Sequence, residues 1–155
     1  MQTDGERLAP RLEFAVNPCA ASNFDGVFPL LQQLWPDRLL ERETLRVLFT
    51  DAVQTDSRVL LQVTIGDRIV GFGSMTLKAH LWHGGLIGWI DELVVDEPAR
   101  GSGIGQALLE RLTRISRERG CRALELDSSF HREEAHLFYQ KLGFEKRAFL
   151  FFKSL

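Results

Sequence analysis

The apolar positions of this chain change period several times, and each change marks an element. Arg11-Leu12-Glu13-Phe14-Ala15-Val16 alternates polar with apolar, as a strand with one buried face does, and Asn17-Pro18 closes it. From Asn23 or Asp25, either able to cap a helix, Val27, Leu30, Leu31 and Leu34 recur at helical spacing until Trp35-Pro36, where the proline disfavours a further helical residue. A second helix is predicted over about Leu40–Val53, with Leu45, Leu48 and Phe49 inward. Val59–Ile65 and Ile69–Lys78 then read as strands joined by a Gly66-Asp67 hairpin turn. A loop over Lys78–Gly85 leads to a strand at Ile87–Val95, and a helix follows over about Ile104–Arg119, stopped by Gly120. Ala123–Leu126 is a short strand, Glu133–Leu142 a last helix with Gly143 as its C-cap, and Phe144–Lys153 a final strand. The order is β-α-α-β-β-β-α-β-α-β, an α+β fold around one mixed, mostly antiparallel sheet flanked by helices. Residues 1–10 read as a flexible tail and 11–155 as a single domain, with no internal repeat or second boundary.

Composition narrows the function classes more than it names one. At 155 residues, 45% hydrophobic and 26% charged, the chain can bury a core of ordinary size. A net charge of -2 supplies no basic excess for general nucleic-acid binding. No apolar run approaches the roughly 20 residues of a membrane span, and the polar first residues hold no signal-peptide core. Cys19 and Cys121 match no zinc or redox spacing. These features lead us to expect a cytoplasmic protein without a nucleic-acid or membrane partner.

The candidate chemistry starts at Arg100-Gly101-Ser102-Gly103-Ile104-Gly105, between an apolar strand and a helix. Glycines let a ligand approach the main chain closely, and a helix N-terminus presents free N–H groups and a favourable dipole to an anion. A Walker loop would require Lys and Ser or Thr after its last glycine, where Gln106 and Ala107 stand. The dinucleotide spacing fails as well, because its third glycine would fall on Gln106 or Leu108. A phosphate loop of another kind and a purely structural turn both remain open at this point.

A different pattern fits. Arg100-x-x-Gly103-x-Gly105, preceded by Leu93-Val94-Val95 and Pro98 and followed by Leu108-Leu109, resembles the coenzyme A pyrophosphate loop of the GNAT family of N-acetyltransferases. Ala135-His136-Leu137-Phe138-Tyr139-Gln140-Lys141-Leu142-Gly143-Phe144 is similar to that family's second motif, an A-x-x-F-Y-x-K-x-G-F helix beside the cofactor. The element order over residues 11–153 is also the family's, and the ending together with "IGWIDELVVDEPARG" looks most like the aminoalkylphosphonate N-acetyltransferase branch.

The resemblance implies acetyl-CoA as donor, a primary amine of a small molecule as acceptor, and direct transfer in a ternary complex. A protein amine as acceptor, or a non-catalytic acyl-CoA-binding module, is the alternative. It implies a coenzyme site made of Leu93, Val94, Val95, Arg100, Gly101, Ser102, Gly103, Ile104, Gly105, Arg132, Phe138 and Tyr139. Main-chain groups of Leu93 and Val95 would pair with the pantetheine arm, and N–H groups over Arg100–Gly105 would hold the pyrophosphate. Arg132 stands where many members carry Asn, which departs from one usual pantetheine contact, and an arginine there would reach a phosphate instead. Tyr139, the only tyrosine in the chain, takes the place of the acid that protonates the departing sulfur, or else is a packed helix residue. Glu92 stands where many members keep a glutamate, as base or as a carboxylate that binds the cationic acceptor. Strand alternation places Asp91 and Glu92 on opposite faces, so only one should face the site. His131 is a lesser candidate base, and His136 shares the Tyr139 side of its helix. No metal is expected, since His80-x-x-His83 has no third ligand fixed by spacing. The loops Leu34–Leu39 and His80–Gly85 should shape the acceptor pocket. After Gly143 there is room for one strand where longer members have two, so part of the acceptor wall should come from elsewhere, and a homodimer partner could supply it.

Overall fold

The computed structural model describes residues 12–155. The expected tail over residues 1–10, and Arg11 of the expected first strand, lie outside the described residues. Strand β1 (Ala15–Pro18) is followed by helices α1 (Phe24–Leu34) and α2 (Arg42–Gln54). Strands β2 (Arg58–Ile65), β3 (Arg68–His80) and β4 (Gly85–Val95) come next, then helix α3 (Ile104–Glu118), strand β5 (Ala123–Leu126) and helix α4 (Glu133–Lys141). The five strands lie in sequence order, β1-β2-β3-β4-β5. Every pair is antiparallel except β4 and β5, which are parallel and joined through α3. The strand expected over residues 11–16 forms later, because the pairing to β2 runs from Ala15 through Pro18.

Each face of the sheet carries its own core. On one, Phe24, Val27, Phe28, Leu30 and Leu31 of α1 meet Phe49 of α2 and Leu60, Phe72 and Val94 of the sheet. On the other, Ile104, Leu108 and Leu112 of α3 meet Leu61, Val63, Met75 and Ile90. Spacing of four residues puts these α3 side chains on one stripe. Each such aliphatic group contributes about 1.5–3 kcal/mol when fully buried. Glycines on β3 set how closely α3 sits: a Cβ on Gly71 would lie 2.9 Å from Ile104 Cγ2. Seated there, α3 holds its N-terminus at the end of β4, where the site lies.

The final strand expected over Phe144–Lys153 does not form; residues 144–155 make no ladder, and β5 remains the last strand of the sheet. A strand requires a partner edge for its N–H and C=O groups, and this segment lies elsewhere. Phe149 stands 6.2 Å, ring to ring, from Phe130, and the Arg147 guanidinium lies 5.4 Å over Trp82. Phe151 and Phe152 are 91% and 88% exposed.

Candidate active site

The site begins where β4 and β5 part. Their pairing runs from Ile87–Ala123 to Ile90–Leu126 and stops. Beyond that point β4 continues against β3 alone, and the Asp96 N–H donates to the Val70 carbonyl at 2.8 Å. Antiparallel bonding alternates along a strand, so Glu92, Val94 and Asp96 bond toward β3. The N–H and C=O groups of Leu93 and Val95 therefore face the side that β5 has left. An extended ligand with its own amides can complete that edge. Val94 offers no such group: its main chain belongs to the β3 ladder and its side chain, 6% exposed, to the α1–α2 core.

The open edge leads into the glycine turn. Gly101 and Gly103 have φ of 79° and 86°, the left-handed region that glycine enters without a Cβ clash. That conformation turns the chain into α3 with the N–H groups of Gly101 through Gln106 free of backbone acceptors among the described residues. Four N–H groups of any helix start lack intrahelical partners, and here they adjoin the open edge. Gly105 requires no unusual φ, and a Cβ there would meet Phe138 and Val95 only at ordinary distances of 3.5 and 3.6 Å. Arg100 is arranged differently from expectation: its N–H donates to the Glu97 carbonyl, and its Nε donates to the Val95 carbonyl at 3.1 Å. Arg100 thus braces the turn, with its remaining guanidinium N–H groups exposed beside it. The Ser102 hydroxyl donates to the Ala99 carbonyl, and Ile104, 1% exposed, anchors the turn in the core.

A bulge in β4 changes the acidic pair. Ser74 pairs with Glu92 but Met75 pairs with Ile90, so Asp91 is an extra residue in the strand. The alternation that should separate Asp91 from Glu92 breaks there. The Ser74 hydroxyl donates to Glu92 Oε2, and the Thr76 hydroxyl donates to Asp91 Oδ2 at 2.6 Å. Ser74 and Thr76 lie two apart on β3, hence on one face, so both carboxylates address the same face. It is the α1–α2 side, since Ser74 pairs with Leu60 of that core. Arg58 Nη2 lies 3.6 Å from Asp91 Oδ2. Burial pushes the Glu92 carboxyl above its ordinary range; the Ser74 hydrogen bond opposes this, Asp91 reinforces it and Arg58 opposes it. A carboxylate so placed is a stronger proton acceptor than one in water.

Helix α4 closes the other side. Phe138 packs over Gly105, and Tyr139 lies between Phe138 (5.4 Å, ring to ring) and Phe144 (5.8 Å). Burial raises the Tyr139 phenol above its ordinary value, with Arg132 lowering it and Asp127 raising it. The phenol is therefore protonated at neutral pH and able to donate. Both α4 aromatics pack on the α3-side core, whereas Glu92 reaches its face from β4, so the acid and base candidates approach the open slot from different layers.

A sequence profile described as the acetyltransferase (GNAT) family matches residues 24–144, from α1 through the second motif. The chain belongs to this family. It is 45% identical over 78 residues to the glucosamine 6-phosphate N-acetyltransferase of Trypanosoma brucei brucei, covering 50% of this chain and 51% of the relative. It is 39% identical over 87 residues to the aminoalkylphosphonate N-acetyltransferase of Salmonella typhimurium, covering 56% of each. The chain thus spans about half the length of these curated relatives. Among solved structures, a Trypanosoma brucei acetyltransferase superposes with a TM-score of 0.77 at 29% identity, over 92% of this chain and all of the other.

Within this GNAT domain the histidines take varied places. His83 Nε2 donates to Glu125 Oε1 at 2.6 Å and its ring lies 5.0 Å from His80, whose Nδ1 is buried without a partner among the described residues. Among the described residues no group of three or more His, Cys, Asp or Glu is arranged to hold a metal ion. His136 Nε2 donates to the Ser129 carbonyl, and His131 is exposed in the preceding turn. Sequence reasoning missed one site-building residue, Gln33, and one contact of Arg132. Gln33 of α1 donates from Nε2 to Asp96 Oδ1 at 2.7 Å and accepts from the Glu97 N–H at 3.1 Å, fixing the start of the glycine turn. Arg132 Nη2 donates to the Leu34 carbonyl at the end of α1. Neither contact has a local signal, because the partners are 63 and 98 residues apart.

Proposed function

We propose that this chain is an N-acetyltransferase that moves an acetyl group from acetyl-CoA to the primary amine of a small molecule, by direct transfer in a ternary complex. The observation that carries the reading is the continuity of the slot. The open main-chain groups of Leu93 and the N–H of Val95, whose carbonyl Arg100 occupies, suit the amide-bearing pantetheine arm, and they lead directly to the free N–H groups of Gly101–Gln106, which suit a pyrophosphate. The donor supplies an activated thioester. Glu92 takes a proton from the acceptor ammonium, directly or through water, so that its nitrogen has a lone pair. Tyr139 holds a proton for the departing sulfur. Neither cysteine supports a covalent acetyl-enzyme: Cys19 is pushed up to about 12 by burial, and Cys121 is also raised by burial, so neither is thiolate at neutral pH.

Both named relatives act on amines that also carry a phosphoryl or phosphonyl group, which supports small anionic amines as the first acceptors to test. A free-thiol assay with acetyl-CoA is expected to show acceptor-dependent release for aminoalkylphosphonates or hexosamine phosphates, above polyamines, aminoglycosides and peptides. Peptides alone raising the rate would transfer the reading to protein acetylation. Tight coenzyme binding with no thiol release from any amine would favour a binding module.

We also infer a homodimer and a cytoplasmic setting. Free Cys19 and Cys121 support the latter, since reducing conditions keep thiols unpaired. No helix among the described residues is long and apolar enough to cross a membrane. For the dimer, the chain carries an exposed apolar segment, Phe149–Phe152, and among the described residues a sheet edge at β5 with no strand beside it. Such groups are self-complementary between two copies and hazardous when left open. Light scattering should give twice the 17.6 kDa chain mass. The double change Phe151→Asp with Phe152→Asp should return it to a monomer that still binds coenzyme A; a wild-type monomer at micromolar concentration would refute the inference.

A further inference from the structure

Arg132 violates a local rule. It occupies the N-cap of α4, where Ser, Thr, Asp or Asn would satisfy the first N–H groups, and its side chain makes no cap hydrogen bond. A cation at a helix N-terminus also opposes the dipole. The side chain serves a different helix. Leu34 is the last residue of α1, and the chain leaves helical geometry at Trp35, with φ -126° and ψ 65°, before Pro36. The Leu34 carbonyl is one of the orphaned acceptors of a helix C-terminus, where a cation is favoured. Arg132 Nη2 donates to it. The preceding residue, Gln33, is bound to Asp96 and Glu97 at the head of the glycine turn. Two consecutive residues at the end of α1 are thus tied to both elements that flank the coenzyme slot.

Resting on the reading of Tyr139 as the acid, we propose that Arg132 is a positioning residue that fastens the end of α1, and with it the loop over residues 35–41, to the helix carrying Tyr139. The loop is the first chain beyond that tie. Trp35, Arg38, Leu39 and Leu40 wall a cavity of about 310 Å³ against the first turn of α2. Capping α1 with a residue of α4 fixes the acceptor side of the slot relative to the proton donor. The arginine also acts on that donor. Tyr139 faces Arg132 and Asp127 as charged groups and Phe138 and Phe144 as apolar ones, and Arg132 opposes the effect of burial on the phenol.

Because Tyr139 is the only tyrosine, phenolate absorbance reads its titration directly, without turnover. In Arg132→Ala the phenolate should appear at higher pH than in wild type. Amide exchange over residues 35–41 should accelerate about tenfold or more, while the dissociation constant for coenzyme A, by calorimetry, should stay within about twofold. Arg132→Lys retains a cationic donor and should rescue both the titration and the exchange, which also covers the case in which the alanine variant fails to fold. Unchanged exchange over 35–41 in the alanine variant overturns the proposal. So does a loss of coenzyme affinity of about tenfold or more, which would make Arg132 a coenzyme ligand. Failure of the acetyltransferase reading would instead appear as absent thiol release in the wild-type protein, and would not alter these readouts.

Discussion

Tyr139→Phe is expected to lower kcat by about 10²-fold or more, the usual contribution of a positioned general acid, while leaving coenzyme binding intact. The change removes one oxygen and keeps the ring that packs against Phe138 and Phe144, so a loss through misfolding is not expected. Its pH dependence is more diagnostic than its size. An acid works in its protonated form, and burial raises this phenol above its ordinary value. The wild-type rate should therefore hold through neutral pH and fall only as pH rises through that raised pKa. In the phenylalanine variant the basic limb should disappear from the residual rate. The same shift affects stability. The fold favours the protonated phenol, so this contribution is full below the unfolded pKa and is lost as pH rises through the folded one. Urea unfolding in the alkaline range should show wild type losing stability relative to Tyr139→Phe. A variant that keeps full turnover and an unchanged basic limb would remove Tyr139 from the acid role.

Much of this site was legible because its signals are local. Gly101 and Gly103 sit where the backbone turns left-handed, and β5 forms over the four residues that the pattern marks. The stripe of Ile104, Leu108 and Leu112 names the buried face of α3. What escaped depends on relations between distant segments. The bulge at Asp91 is set by how β3 and β4 register, and no pattern within "WIDELVV" announces it. Arg132 and Gln33 act across 98 and 63 residues, with partners that include a backbone carbonyl, which has no residue type. The missing last strand has a similar cause. Phe144–Lys153 has the composition of a strand, but a strand is a property of two edges, and no edge among the described residues receives it. An apolar run reports the wish to be buried, not the place where burial occurs.

Glu92→Gln should separate catalysis from stability by moving them in opposite directions. Glutamine preserves the shape and still accepts the Ser74 hydroxyl, but it cannot take a proton. We expect kcat/KM at neutral pH to fall by about 10²-fold, with the acidic limb of the profile lost. In wild type that limb marks the pH below which Glu92 is protonated, and burial places it above the ordinary carboxylate range, with Asp91 raising it further. The fold, however, favours the protonated carboxyl. Its stability contribution is full below the unfolded pKa and disappears as pH rises through the folded one. Above that raised pKa wild type thus holds a buried charge that glutamine lacks, and there the variant should unfold at higher urea than wild type. At acidic pH, with Glu92 neutral in both states, the two midpoints should converge. A carboxylate that only binds the cationic acceptor gives a different result: KM rises, the acidic limb of kcat stays, and the difference in unfolding midpoint, with its convergence at acidic pH, remains. The profile of kcat therefore decides between base and binder, and the unfolding midpoints establish that Glu92 carries its charge inside the fold, where a proton acceptor is most useful to the reaction.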